Sequence, residues 1–221
     1  MANSDTVDRI LDAAEILFAE KGFSETSLRQ ITSKAQVNLA AVNYHFGSKN
    51  ALIQAVFARF LTPFTRAMEQ EIDLRVGANI ENSQMELEQL LSILTLSIVR
   101  IPTRHKNGVS VFMRLLGIAY TQSQGHLRRF LEQEYSRPFR RFMRLMKAAT
   151  PELSQIDRFW RIQFMLGATA FTMSSIEALK EIIKDDLDVD SSTEDVATRL
   201  VPFLAAGLRA KAIPDPILGA K

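Results

Sequence analysis

The sequence predicts an all-α protein with a small N-terminal domain of short helices and a larger C-terminal bundle of long ones. Apolar residues recur every three or four positions along most of the chain, the spacing of a helix that buries one face. Capping residues precede several of these segments. No stretch of useful length alternates apolar and polar residues as strands do. We expect the N-terminal domain over residues 1–50, a connecting helix over 51–75 and the bundle over 76–221.

Composition narrows the class of protein. Of the 221 residues, 47 % are apolar and 24 % are charged, as in an ordinary globular protein. The absence of cysteine excludes disulfides, thiolate metal sites and thiol catalysis. The N-terminal MANSDTVDRI is too polar for a signal peptide, and the most apolar window, FMLGATAFTM, is about half as long as a membrane span. We expect a soluble, cytoplasmic protein that does not enter a membrane.

The first two helices have recognisable ends. Ser4 or Asp5 can cap the first helix, and Gly22 can end it because glycine readily adopts a left-handed conformation. Ser27 and Gln30 have the spacing of a capping box, in which each side chain bonds to the other residue's backbone N–H. A short second helix is therefore expected to begin after Ser27.

The third and fourth helices follow after a very short connection. Asn38 is a good N-cap for a third helix, and Gly47 can end it. Ser48 can cap a fourth helix, which Pro63 is expected to kink or end because proline cannot donate the internal hydrogen bond.

Beyond residue 75 we expect long helices over about 83–101, 108–122, 125–147, 151–184 and 193–211. Pro138 should interrupt the third of these. Thr150 followed by Pro151 resembles an N-cap and a first-turn proline, and a capping box begins at Ser191. The acidic run over residues 184–190 is expected to form a solvated loop.

The second and third helices, joined by three residues, have the arrangement of a helix-turn-helix, which inserts its second helix into the DNA major groove. If Val42 faces the core, then Asn43, Ala40 and Tyr44 lie about 100°, 160° and 200° away around the third helix. Small residues on an outward face allow close approach to base edges, and Asn can hydrogen-bond adenine. An ordinary amphipathic helix would also place polar residues outside.

Charge supports an interaction with DNA, although the formal net charge is only +2. No Asp or Glu occurs from Thr26 to Met68, and we expect the cations of this segment to form a positive surface: Arg29, Lys34, Lys49, Arg59 and Arg66. Lys49 lies in the first turn of the fourth helix, where the helix dipole disfavours a cation. A bound phosphate would offset that cost.

The segments ILDAAEILFAEKGFSETS and SLRQITSKAQVNLAAVNYHFGSKNALI resemble the DNA-binding domain of the TetR family of bacterial repressors over about residues 6–60. VNYHFGSK is most similar to PsrA-type members, which respond to fatty acids and control β-oxidation genes. Two positions differ from the usual pattern: Gln36 replaces a turn glycine, and Asn43 replaces a base-facing tyrosine. The operator therefore cannot be inferred from better-known members.

The resemblance implies a role for each matching residue. Ser27 would bind phosphate, Leu39, Ala40 and Asn43 would face bases, and the residues after them would hold the DNA backbone. The predicted DNA contacts are Ser27, Asn38, Leu39, Ala40, Asn43, Tyr44, His45 and Lys49.

The C-terminal part is rich in Phe, Met and Leu, which most often form a core but can also adapt to an elongated apolar ligand. Arg114 lies in the apolar segment VFMRLLGIAY, where its cation either reaches the surface or meets an anion inside. The second alternative would suit a long-chain fatty acid or acyl-CoA, the effector that the resemblance implies. The predicted ligand-binding residues are Phe112, Arg114, Phe142 and Met165.

Small residues in FMLGATAFTMSSIEAL and VATRLVPFLAAGL permit close helix packing. Packing within one chain would explain them, but the resemblance implies a homodimer whose subunits meet in a four-helix interface. Such a dimer would bind a palindromic operator. The predicted dimerisation residues are Phe164, Gly167, Phe171 and Leu204.

We weighed three further alternatives. A TetR-like regulator of efflux or stress genes would share these features but bind another effector. A helical adaptor would not explain the acid-free segment. An enzyme is disfavoured because His45, His105 and His126 are widely separated and no nucleophile signature or metal-ligand spacing accompanies them. We therefore predict no catalytic residue, metal or cofactor.

Overall fold

A computed structural model describes residues 2–76, 85–121 and 125–211, which form helices without any strand. The all-α prediction is confirmed. Within the described residues no helix combines the length and apolar character needed to cross a membrane. The helices are α1 (Ala2–Glu25), α2 (Leu28–Ala35), α3 (Leu39–Phe46), α4 (Lys49–Val76), α5 (Leu87–Val99), α6 (Gly108–Thr121), α7 (Gly125–Ala149), α8 (Gln155–Ser174), α9 (Ile176–Leu187) and α10 (Thr193–Arg209).

The N-terminal domain is formed by α1, α2, α3 and the first turns of α4. Its core contains Phe18, Phe23 and Phe57, whose rings pack in series with centroid distances of 5.4 and 6.1 Å. Gly22 has a φ of 82° and bends the end of α1. The buried Thr26 hydroxyl lies 2.8 Å from the Gly22 carbonyl oxygen, and this contact holds the reversal between α1 and α2.

The predicted caps of the short helices are confirmed. Ser27 and Gln30 form both halves of a capping box, with N–O distances of 2.7 and 3.2 Å. Asn38 Oδ1 accepts from the Ala41 N–H at 2.8 Å, and Ser48 Oγ accepts from the Ala51 N–H at 3.1 Å. These side chains satisfy backbone donors that have no partner within the helix.

Neither proline ends its helix: α4 continues through Pro63, which was expected to kink or end it, and α7 continues through Pro138, where the predicted interruption is wrong. A proline inside a helix costs about 3 kcal/mol, and the packing of these two helices against each other offsets that cost. Pro138 is buried, the Tyr135 hydroxyl lies 2.8 Å from Thr62 Oγ1, and Arg141 pairs with Asp73.

The predicted helix over 151–184 is instead two helices, α8 and α9, which meet at Ser175. Thr150 does not cap α8: its hydroxyl donates to the Met146 carbonyl at the end of α7. Ser154 is the cap, and its Oγ accepts from the Asp157 N–H at 3.0 Å. Thr150 and Ser154 could each cap a helix, but the Thr150 hydroxyl is already bonded to the end of α7, so Ser154 caps α8.

Two further boundaries near the C-terminus differ from the prediction. The acidic run over 184–190 begins inside α9, which ends at Leu187 and is capped by Asp188, a residue with a φ of 52°. The last capping box begins at Ser192 and pairs it with Asp195, one position later than predicted.

The bundle is joined to the N-terminal domain through α4 and α6. α4 packs against α5 and α7, α1 packs against α6, α5 against α10, and α6 against α8. The stacked rings of Phe60 and Phe112, 4.9 Å apart, lie where α4 meets α6. A movement in the bundle can therefore reach the N-terminal domain through packed side chains.

Candidate functional site

The short helix α3 presents the outward surface that the sequence predicts. Val42 is fully buried, whereas Leu39, Ala40 and Asn43 are exposed. Tyr44 is 81 % exposed, which is unusual for a large aromatic side chain. The outward surface of α3 therefore combines small, amide and aromatic groups, which can contact base edges and the sugar-phosphate backbone.

The turn between α2 and α3 is held in one conformation. Gln36 adopts φ 53° and ψ 46°, the left-handed region that favours glycine, and its N–H donates to carbonyl oxygens at the end of α2. The Val37 N–H donates to the Thr32 carbonyl at 3.0 Å. The departure from glycine is accommodated with backbone strain, and these bonds fix how α3 leaves α2.

Two of the predicted polar contacts have a shown role as helix caps. Ser27 and Asn38 are exposed, and each uses its side-chain oxygen to accept a backbone N–H. The Ser27 hydroxyl hydrogen and the Asn38 amide group remain available as donors. Donors at the start of a helix are suited to phosphate oxygens.

The structure gives Lys49 a partner that sequence analysis did not find. Its Nζ donates to the Ser24 carbonyl oxygen at 3.4 Å, at the C-terminal end of α1. A cation is favourable there because the end of a helix carries partial negative charge. His45 is half-buried, and its ring lies edge-on to Tyr44 at 5.0 Å.

The acid-free segment does not contribute all of its cations to one positive surface. Arg59 is mostly buried and pairs with acids of α1, so its predicted place on that surface is wrong. Arg29 and Lys34 are exposed on α2, beside α3. These two residues are candidate phosphate contacts that were not among the predicted DNA contacts. The lack of acids around them in the sequence could have identified them.

A groove of about 1070 Å³ lies between α6 and α7. Its apolar wall includes Leu116, Ala119, Leu127, Leu131, Phe139 and Met143. Its cations are Arg128, Arg140, Arg144 and Lys147, all on α7. The groove therefore combines apolar surface with several positive charges along one side.

The four predicted ligand-binding residues do not line this groove. Phe112, Phe142 and Met165 are buried in the core, and Phe112 stacks on Phe60 instead of facing a cavity. Arg114 is exposed, so its stem carries the cation to the surface and no buried anion is required. Sequence periodicity identified apolar residues but could not separate core positions from cavity walls.

An exposed apolar face runs along α8 and α10. Trp160 is 54 % exposed, and Phe164, Phe171 and Phe203 are each 67 % exposed. A Cβ atom on Gly167 would meet open space. Leu204, a predicted dimerisation residue, is buried within its own chain, and its neighbour Phe203 points outward instead. This large apolar face is what a protein–protein interface requires.

Two family models match the chain. The model described as "Bacterial regulatory proteins, tetR family" matches residues 10–56. The model described as "Tetracyclin repressor-like, C-terminal domain" matches residues 93–207. Together they cover the recognition domain and most of the bundle.

Similar proteins match part of the sequence or the whole fold. A probable HTH-type transcriptional regulator, YttP of Bacillus subtilis, is 35 % identical over 89 residues, which are 40 % of each chain. The matched segment thus spans less than half of that relative. A TetR-like transcriptional regulator from Rhodococcus sp. RHA1 aligns over 93 % of this chain and 97 % of its own, with a TM-score of 0.59 and 19 % identity. The fatty acid degradation regulator FadR from Bacillus halodurans has the same coverage, a TM-score of 0.58 and 16 % identity.

Proposed function

Because this chain belongs to the TetR family of transcriptional regulators, we propose that it binds a palindromic operator as a homodimer and is released by a small-molecule effector. The observation that carries this proposal is the exposed face of α3, where Ala40, Asn43 and Tyr44 lie outward over a buried Val42. The Tyr44 ring contributes little to the core of the N-terminal domain, so its exposure is better explained by a contact outside the domain.

In the proposed complex the DNA contacts of α3 and its neighbours fall into two groups. Leu39, Ala40 and Asn43 contact bases, and the Asn43 amide supplies the donor and acceptor that adenine requires. Asn38, Tyr44, His45 and Lys49 contact the DNA backbone, together with Ser27 at the start of α2. The cations Arg29 and Lys34 add phosphate contacts.

A second copy of this chain is the proposed partner of the apolar face on α8 and α10. Two-fold pairing would cover Phe164, Phe171 and Phe203, which otherwise leave apolar surface in water. The pairing also gives two recognition helices, as a palindromic operator requires when its half-sites lie about 34 Å apart.

The groove between α6 and α7 is the proposed effector site, and a long-chain fatty acid or acyl-CoA is the proposed effector. The apolar wall suits an alkyl chain, and Arg140, Arg144 and Lys147 suit an anionic head. The PsrA-like recognition segment and the likeness in fold to a fatty acid degradation regulator support this choice. A TetR-like regulator of another pathway would bind a different molecule in the same groove.

Repression would follow from occupying the promoter, and induction from movement of α4. The groove lies against α7, and α7 packs along α4, whose first turns support α3. An effector that displaces α7 would change the separation of the two recognition helices. Effector and operator must then weaken each other's binding by the same factor.

The experiment that tests this function measures binding of the purified protein to DNA from upstream of its own gene. We expect a two-fold symmetric footprint, an affinity that falls steeply with salt, and release by oleate or oleoyl-CoA. Absence of binding to any upstream duplex at low salt would refute the DNA-binding proposal. Operator binding that neither lipid changes would refute only the proposed effector.

A further inference from the structure

A cluster of charged side chains lies where the N-terminal domain meets the bundle. Arg59 of α4 places one guanidinium nitrogen 2.7 Å from both Asp12 Oδ1 and Glu15 Oε1, and the other 3.7 Å from Asp8 Oδ1. These three acids belong to α1. Glu15 is only 3 % exposed, so its carboxylate depends on Arg59 for solvation.

The connection between α5 and α6 supplies the rest of the cluster. Arg104 lies 2.6 Å from Asp8 and 3.9 Å from Asp12, and His105 Nε2 lies 3.8 Å from Asp12 Oδ1. That imidazole nitrogen is buried and has no hydrogen-bond partner among the described residues. We call Asp8, Asp12, Glu15, Arg59, Arg104 and His105 the junction cluster, because it connects α1, α4 and the segment that leads into α6.

The charges of the junction cluster do not balance. Its three carboxylates face two guanidinium groups and one imidazole, so with a neutral imidazole the cluster carries one excess negative charge, and Glu15 is its most deeply buried acid. Burial raises the pKa of Glu15 to about 7, against the lowering influence of Arg59, whose charge is shared among three acids. The Arg59 guanidinium fills the space between Asp12 and Glu15, so a proton is the cation for which room remains.

We propose that the junction cluster binds one proton at Glu15 near neutral pH, and that this proton strengthens the contact between the N-terminal domain and the bundle, so that operator affinity falls as pH rises. Loss of the proton leaves an ionised carboxylate in a place that burial keeps away from water. Hydration of this carboxylate favours movement of α1 away from the connection between α5 and α6, against the weaker attraction of Arg104. A looser junction lets the two recognition helices vary in separation, and binding to both half-sites then costs more entropy. The second half of this proposal depends on the proposed operator binding.

The test compares operator affinity at pH 6 and pH 8, at constant ionic strength, for the full-length protein and Glu15→Gln. The glutamine has the shape of the protonated acid and cannot ionise. We expect the wild-type protein to lose about tenfold more affinity over this range than Glu15→Gln, because every other group that contacts DNA is common to the two proteins. Glu25→Gln removes an exposed acid of the same helix and should keep the wild-type pH profile.

A Glu15→Gln variant whose affinity falls with pH as steeply as that of the wild type would overturn the proposal. The proton can also be observed without DNA, by ¹³C NMR titration of the Glu15 carboxyl group in the wild-type protein. A carboxyl signal that does not titrate between pH 6 and 8 would likewise overturn it. If the signal titrates but no duplex is bound at either pH, the proposed operator binding has failed and the proton site stands.

Discussion

At the scale of single residues, Gln36 allows a direct measurement of backbone strain in the helix-turn-helix. A residue with a Cβ atom costs about 1–2 kcal/mol in the left-handed conformation that Gln36 adopts, whereas glycine adopts it freely. We expect Gln36→Gly to raise the free energy of unfolding by about 0.5–1 kcal/mol after the greater entropy of glycine in the unfolded chain is subtracted. Urea denaturation followed by circular dichroism measures the change.

Lys34→Gly is the matched control for Gln36→Gly. Lys34 is exposed inside α2, and glycine there should lower the free energy of unfolding by about 1 kcal/mol. If both variants were destabilised to the same extent, the conformation assigned to Gln36 would be incorrect.

Asn43 is the residue whose loss should change sequence preference. Asn43→Ala should cost about 1–3 kcal/mol on the natural operator and almost nothing on an operator in which the contacted base pair has been replaced. Asn50→Ala removes the same amide from an exposed position in the first turn of α4 and should leave the preference unchanged. Competition binding with a set of single-base operator variants measures both. Equal losses on every variant for Asn43→Ala would show that it does not contact a base.

Local sequence was sufficient to predict some residue roles and insufficient for others. The caps Ser27, Asn38 and Ser48 depend only on residues three positions away, and all three are confirmed. Local sequence could not show that Arg59 pairs with acids of α1, or that Lys49, still a proposed DNA contact, also donates to the Ser24 carbonyl, because these partners are more than twenty positions away. No pattern within a helix contains such partners, so charge alone could not place these side chains.

At the scale of helices, the order and number of the N-terminal elements could be predicted, whereas breaks in the bundle could not. The spacing of apolar residues continues across Ser175 because α8 and α9 are both amphipathic, so it did not reveal that the helix ends there. Pro63 was expected to kink or end its helix and Pro138 to interrupt one, but both helices continue, and the contact between α4 and α7 stabilises them. Tertiary packing therefore decides such boundaries.

The apolar face of α8 and α10 leads to a prediction about assembly. Phe164→Glu should weaken self-association by about a hundredfold or more, because it places two carboxylates in an interface that gives them no partner. The side chain is 67 % exposed within one chain, so the fold of the monomer should be preserved. Sedimentation equilibrium measures the association, and circular dichroism checks the fold.

Leu74→Glu serves as the control for Phe164→Glu. Leu74 is 82 % exposed on α4, a helix that does not belong to the proposed interface, and its replacement should leave the association constant unchanged. A Phe164→Glu protein that still forms dimers of wild-type affinity would exclude this face as the dimer interface.

At the scale of the whole molecule, α4 connects the helix-turn-helix, the junction cluster and the groove. Its first residue, Lys49, contacts the end of α1, its middle contains Arg59 of the junction cluster and Phe60 stacked on Phe112, and its later turns pack against the wall of the groove on α7. The sequence predicted a connecting helix here but not what it connects, because both contact surfaces come from distant segments. The proposed coupling between effector and operator therefore needs only one continuous helix, Lys49–Val76.

The junction cluster also predicts how the stability of the whole protein depends on pH. The pKa of Glu15 is about 7 in the folded protein and 4.5 as its ordinary value, so between these pH values the folded state binds more protons than the unfolded state. The stabilisation is complete below pH 4.5 and is lost as pH rises to 7.

Glu15→Gln lacks this dependence, so its free energy of unfolding should increase relative to the wild type by about 2 kcal/mol between pH 5 and pH 8. Urea denaturation at a series of pH values measures the difference. The Glu25→Gln protein, which loses an exposed acid, should follow the wild-type curve, and parallel curves for Glu15→Gln and the wild type would show that Glu15 is already ionised at pH 5.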